Sequence, residues 1–256
     1  MKKSPFTSIE KVLDILSGFS KEHEEFTADE ISKRLKIPLS STYKYLDLLL
    51  KKGFLAKNDD TKKFGIGLTL FKLGNLFFAN IRLTEIAFPH MRSLSELSGE
   101  TVILTVIHGW ESMCIEKVES TNRIRFSVAR GATLPLHAGA SSKILLAYQE
   151  KAFVNAFAKS AGLTAVTKNT ITDFDLLIKE LKKIRKKGVA ISDGEADLVA
   201  IAVAAPIFDH HRTILSGISI VAPRERISQK KVPEIVDMVK DTARKISYEI
   251  GYIENE

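Results

Sequence analysis

The sequence predicts an α+β protein with an N-terminal winged helix-turn-helix and a C-terminal domain built on a central, mostly antiparallel sheet. Three observations predict it. Residues Thr27 to Leu55, TADEISKRLKIPLSSTYKYLDLLLKKGFL, read as two short helices around a tight turn. A basic hairpin follows directly. From Thr101 onward, strand-like runs and helical runs follow one another in mixed order.

Ile9, Val12, Leu13 and Leu16 recur at i, i+3, i+4 and i+7 and predict a first helix from about Ser8, its candidate cap, to Phe19. Thr27 is an N-cap for the next helix, and Glu30 completes a capping box. Ile31 and Leu35 form its apolar stripe. Pro38 disfavours helix at Ile37 and ends it. The second helix runs from Leu39 or Ser40 to about Lys52, where Gly53 supplies the stop. On a wheel, Leu39, Thr42, Leu46, Leu49 and Leu50 fall on one side. Ser40, Lys44, Asp47 and Lys51 fall on the other, with Tyr43 at the boundary and Leu48 breaking the pattern.

An apolar back with a Ser/Lys/Tyr front suits a helix lying in a DNA major groove. An ordinary amphipathic pair with a solvated face is the competing reading. Charge weighs against that. Residues 1–32 carry four lysines against seven acids, whereas residues 33–63 carry nine Lys/Arg against three acids. A positive block over the second helix and beyond is the footprint of a phosphate-facing surface. Phe54 to Ala56 reads as a strand, Asn58 to Thr61 as a turn, and Lys62 to Ile66 as the return strand. Ser40, Ser41, Tyr43 and Lys44 are expected at the groove, and Lys57, Lys62 and Lys63 at the phosphates.

Composition sets the outer limits. The chain has 256 residues, 45% hydrophobic and 27% charged, with a net charge of +7, and the balance favours a polyanionic partner. No apolar run is long enough for a membrane span. Acidic residues interrupt the N-terminal apolar stretch and argue against a signal peptide, so the cytoplasm is expected. The single Cys114 leaves no internal disulfide and no Cys-cluster zinc site.

After Gly67, the run LTLFKLGNLFFANIRL places Leu70, Leu73, Phe77 and Ile81 on one apolar face. A helix that apolar between two domains is expected to bury itself, most economically against a second copy, although a core helix within one chain fits the same pattern. The expected division is a winged helix-turn-helix over 1–67, a linker helix over 68–83 and a second domain over 84–256. In the second domain a helix over Ile86 to Leu97 precedes strands Thr101 to Ile107, Met113 to Val118 and Ile124 to Ala129. LPLHAGASSKILLAY passes from loop into helix. Helices Lys151 to Ala158 and Phe174 to Lys187 follow, then strands at Val189 to Ile191, Val199 to Ala205 and Ile214 to Val221, and a last helix over Val232 to Tyr252.

Along nearly its whole length the chain resembles the IclR family of transcriptional regulators. The stretches that carry the resemblance are EISKRLKIPLSSTYKYLDLLLKKGFL, FGIGLTLFKLG, SGETVIL, VESTNRIRFSVARGATLPLHAGASSKILLA and VAAPIFDHHRTILSGISIVAPRERI. The resemblance implies a linker helix, a GAF-like effector-binding domain, and a dimer or tetramer; with the apolar linker face, a dimer on a near-palindromic operator is expected, and repression as its mode. It also implies an effector pocket walled by Leu134, Ala140, Ser141, Ala200, Ala202, Ser219 and Val221, with Asp193 at the rim. Ser192 stands at the first position of a run that is usually acidic in the family. Ala202 stands where a cysteine is common, and Val221 where a serine is. These departures point away from a glyoxylate-like or pyruvate-like acid and toward a bulkier or more apolar organic acid. Arg130 is the cation nearest the pocket entrance in sequence.

Other chemistries find little support. A nucleophile needs an oriented base beside it. Cys114 lies in an apolar strand, His137 is expected to fix its loop, and His210 and His211 fall in a turn. The six histidines show no metal-ligand spacing, although a pocket assembled from distant segments remains open as a zinc alternative. No catalytic residue, cofactor or metal is expected. A purely architectural DNA-binding protein would not need the large second domain.

Overall fold

A computed structural model describes residues 7–20, 23–73 and 82–252. The chain divides into two compact units, Met1–Ile81 and Arg82–Glu256.

In the first unit, α1 (Thr7–Ser17), α2 (Ala28–Leu35) and α3 (Leu39–Lys51) surround a small core of Ile15, Ile31, Leu46, Leu49, Leu55 and Phe64. Ser8 lies inside α1 rather than capping it, with its Oγ 3.4 Å from the Tyr45 hydroxyl. The Thr27–Glu30 capping box forms in both directions: the Glu30 N–H donates to Thr27 Oγ1, and the Thr27 N–H donates to Glu30 Oε2 at 2.7 Å. Lys36 closes α2 in the left-handed conformation, at φ 53°. Strands β2 (Leu55–Lys57) and β3 (Phe64–Ile66) make the wing. A third strand, β1 (Glu25–Phe26), pairs antiparallel with β3. Two residues are too short a run to carry a period, so only the pairing reveals it. Residues 68–73 begin a helix, α4. Phe77 and Ile81, expected on its apolar face, lie outside the described residues.

The second unit has one six-stranded, fully antiparallel sheet in the order β6-β5-β4-β9-β8-β7. Its strands are β4 (Thr101–His108), β5 (Glu111–Val118), β6 (Thr133–Pro135), β7 (Ala190–Asp193), β8 (Ala200–Phe208) and β9 (Ile214–Pro223). On one face lie α5 (Arg82–Ser98) and α9 (Val232–Ile250), which present Leu83, Ala87, Met91 and Leu94, and Ile235, Val239, Ala243 and Ile246, all buried. On the other lie α6 (Ala140–Ala147), α7 (Lys151–Ser160) and α8 (Phe174–Lys187), joined in one core with Ile103, Cys114, Ala202 and Val221.

The strand expected over Ile124 to Ala129 does not form. The place beside β5 is taken by β6, and residues 124–129 cross as irregular chain. Thr101 Oγ1 donates to the Phe126 carbonyl at 2.6 Å and ties that segment by a side chain instead of a ladder. Gly188 closes α8 at φ 66° with its N–H on the Ile184 carbonyl.

Candidate functional site

The exposed surface of α3 follows from what the helix buries. Thr42, Leu46 and Leu49 enter the core at i, i+4 and i+7, which turns Ser40, Tyr43, Lys44, Asp47 and Lys51 outward. Tyr43 is 47% exposed, and Ser41 is half-buried. Leu39, expected on the apolar back, is exposed instead, and Leu48 is 48% exposed. Leu39 opens the helix directly after Pro38, before the helix has turned its back to the core. Pro38 makes no side-chain cap, and the first turn holds no acidic residue. The Ser41 N–H donates to the Pro38 carbonyl at 2.9 Å, which leaves the N–H groups of Leu39 and Ser40 without a side-chain cap at the positive end of the helix dipole, an arrangement that suits a phosphate.

The wing turn is built by Asn58, whose Oδ1 accepts from the N–H groups of Asp60 and Thr61 at 3.0 and 3.2 Å. Lys57 and Lys62 are exposed and Lys63 is half-buried. The Lys57 ammonium lies 5.7 Å from the Phe64 ring centroid, which holds its stem along the strand. Asp59 and Asp60 stand exposed at the tip between the lysines, so the wing carries both signs of charge.

In the second unit a cavity of about 80 Å³ lies between the sheet and the start of α6. Ile103 and Thr105 of β4, Ser112 and Cys114 of β5, Phe126 and Val128, and Leu134 of β6 form one side. Ser192, Ala200, Ala202 and Val221 form the other. Gly139, Ala140 and Ser141 close one end, with Ala196 and Asp197 beside them. No Lys, Arg or His lines it. Its polar pole is the N-terminus of α6, which has Gly139 as N-cap and no side-chain cap.

Of the expected pocket residues, Leu134, Ala140, Ser141, Ala200, Ala202 and Val221 line this cavity, and two do not. Asp193 follows Ser192 along β7 and pairs with Ile201, so strand alternation turns it to the opposite face, where its carboxylate meets Arg224 Nε at 3.0 Å. Ser219 lies two residues before Val221 on β9, fully buried, with no hydrogen-bond partner for its Oγ. There it falls between Val221 and Gly217, where Ile144 of α6 packs down against the strand. Arg130 is surface-exposed and paired with Glu116 rather than with the cavity.

Sequence reasoning missed the buried ion pair beneath α6. Lys143 is 1% exposed, and its Nζ lies 2.6 Å from Glu195 Oε1 and 3.6 Å from Glu180 Oε1. A lysine inside an apolar helix run was the available signal. The Cys114 thiol is pushed up to about 11, first by burial and then by Glu116, so it stays protonated at neutral pH. The buried His137 uses Nε2 on the Thr164 carbonyl, at 2.9 Å, and fixes its loop. Among the described residues no cluster of His, Cys, Asp and Glu has the makings of a metal site, and no helix is long and apolar enough to cross a membrane.

A winged helix-turn-helix followed by an α+β unit with an apolar cavity defines a class: a DNA-binding regulator with a ligand-holding domain. The IclR helix-turn-helix domain matches residues 8–59, and the bacterial transcriptional regulator IclR C-terminal domain matches residues 77–248. The chain belongs to the IclR family of bacterial transcriptional regulators. It is 30% identical to the HTH-type transcriptional repressor AllR of Escherichia coli, over 95% of this chain and 90% of the relative. It is similar to the crystal structure of the Thermotoga maritima IclR at 31% identity and a TM-score of 0.76, covering 96% of this chain and all of the other. An IclR homologue from Microbacterium hydrocarbonoxydans, solved with 4-hydroxybenzoate, shares the fold at 24% identity and a TM-score of 0.85, covering 95% of this chain and 98% of that one.

Proposed function

We propose that this regulator is a repressor whose hold on its operator is set by a small organic acid in the cavity of the second unit. In this reading residues 1–67 bind DNA, 68–83 form a linker helix and 84–256 hold the effector. Ser40, Ser41, Tyr43 and Lys44 meet the major groove, and Lys57, Lys62 and Lys63 meet phosphates. Two copies sit on a near-palindromic site, as dimers of helix-turn-helix readers do. The exposed Leu68, Phe71 and Leu73 of α4 support self-association. The chain acts by binding and not by catalysis, since the one thiol near the cavity is held protonated at neutral pH. A DNA partner puts it in the cytoplasm.

The observation that carries the effector reading is the shape of the cavity: apolar walls with one polar pole at the α6 N-terminus, where Glu195 takes the Gly139 N–H and the N-cap residue offers no side chain. Backbone N–H groups there suit a carboxylate, and the Ser141 hydroxyl adds a donor. The absence of a lining cation disfavours a small, strongly hydrated dianion. Ile103, Phe126, Val128 and Leu134 suit an apolar body on the acid. The repressor AllR and the 4-hydroxybenzoate-bound homologue support this class of mechanism.

The test is a melting-temperature series with benzoate and 4-hydroxybenzoate on the wild type and on Ala202→Phe. A ligand at 100 times its Kd adds about 2.7 kcal/mol of stability. A shift is expected in the wild type and none in the variant, which should keep the unliganded DNA affinity. An equal shift in both proteins puts the ligand elsewhere. Effector binding must also favour one state of the dimer, because equal affinity for both changes nothing.

A further inference from the structure

One end of the cavity is bounded by two chain segments far apart in sequence. One is the α6 N-terminus, residues 139–141. The other is the loop between β7 and β8, which contributes Ala196 and Asp197. They approach closely: a Cβ on Gly139 would stand 3.3 Å from the Ala196 Cβ. Glu195 joins them. Its Oε2 accepts the Gly139 N–H at 3.3 Å, and its Oε1 accepts from Lys143 Nζ, one turn further along α6. Its carbonyl accepts from Thr170 Oγ1 at 2.7 Å and Thr167 Oγ1 at 3.2 Å, which anchors the loop from behind.

We propose that the Lys143–Glu195 pair is a latch that holds the 194–199 loop against the α6 N-terminus, and so positions the amide groups at the cavity's polar pole and keeps that end of the cavity closed. This rests on the reading of the cavity as the effector site, but its first test needs no effector. Buried charges are tolerated only when paired. Lys143 takes both its carboxylate partners from outside its own helix, Glu195 from the loop and Glu180 from α8. Remove the ammonium, and Glu195 keeps a buried charge with only the Gly139 N–H to satisfy it. The carboxylate then gains by turning out to water, and Ala196 and Asp197 go with it. Lys143 and Glu195 are positioning residues here: neither lines the cavity.

The single cysteine reports on this opening. Cys114 lies in the cavity wall, 2% exposed, so a thiol reagent reaches it only when the cavity opens. The experiment measures the labelling rate of Cys114 by a disulfide reagent in the wild type, Lys143→Met, Glu195→Ala and the double variant, at one pH and at several low urea concentrations. Each single variant is expected to label about tenfold faster, at a rate flat in low urea, the mark of local rather than global opening. The double variant should be no faster than the quicker single one, since one device has been broken twice. Wild-type rates in both singles overturn the latch. So does a double variant whose effect is the product of the two, or acceleration that occurs only through global unfolding. If Lys143→Met fails to fold, Glu195→Ala decides alone, because there Lys143 still has Glu180. Benzoate separates the two readings: it should slow Cys114 labelling in the wild type. Acceleration by the variants without protection by benzoate leaves the latch standing and removes a benzoate-like acid as the occupant.

Discussion

Ser112 Oγ and Ser142 Oγ lie 2.7 Å apart, both buried, and join β5 to the third residue of α6. Ser112 also lines the cavity, so this bond sets the sheet side of the cavity relative to the helix that closes it. Its partner is not replaced easily. The other contact of Ser112 Oγ is a long one, 3.4 Å to the Leu134 carbonyl. Ser142→Ala should therefore cost about 1–3 kcal/mol, the penalty for a buried hydroxyl left poorly satisfied. Adding Ser112→Ala should recover part of that loss. Urea denaturation of the two singles and the double gives the coupling energy. A coupling of zero would mean that the two hydroxyls act independently.

The lysines proposed to face DNA are expected to differ in kind. Alanine at Lys57, Lys62 or Lys63 should weaken binding to all sequences and flatten the dependence of log K on log salt by about one unit per lost contact. Lys44→Ala should change sequence preference instead. Asp59 and Asp60 at the wing tip oppose phosphate, so the double change to Asn should strengthen binding to every sequence. Fluorescence anisotropy on specific and scrambled duplexes across a salt series measures all of these. Wild-type slopes in all three lysine variants would remove the wing from the interface.

Self-association is checked by sedimentation equilibrium. Leu68, Phe71 and Leu73 are exposed at the start of α4. At micromolar concentration a dimer or larger species is expected. Replacing Phe71 and Leu73 with Ser should shift it toward monomer. A wild-type protein found only at 28.5 kDa would exclude the dimer.

Glu100 makes a pH prediction. It is 5% exposed, with Oε1 2.8 Å from Arg226 Nη2 and Oε2 without a partner. Burial raises its pKa above the ordinary carboxylate value, and Arg226 offsets only part of the rise. The folded state thus holds the proton more tightly than the unfolded one. Stability falls as pH climbs from the unfolded carboxylate value, about 4.3, through the folded one. Glu100→Gln keeps an acceptor for Arg226 and removes the titration. Its melting temperature should match the wild type at low pH apart from a constant offset, and gain on it as pH rises through that window. An offset that does not change with pH would exclude the effect.

Much of this protein was determined by its sequence alone, because the signals are local. Thr27 and Glu30 cap α2 from three residues apart, Gly188 ends α8, and 3.6-residue and two-residue periods mark most helices and strands. The polar front of α3 follows from the spacing of Thr42, Leu46 and Leu49. Only the tertiary structure decided which chain lies beside β5, so residues 124–129 became irregular and β6 took the edge. It alone turned Asp193 away from the cavity, since one residue of register reverses a side chain's face. It alone revealed that Lys143, a cation set in an apolar run of the sequence, is buried between two carboxylates. Local periods decide which elements form, whereas pairing and burial depend on partners far along the chain, and no local pattern encodes their approach.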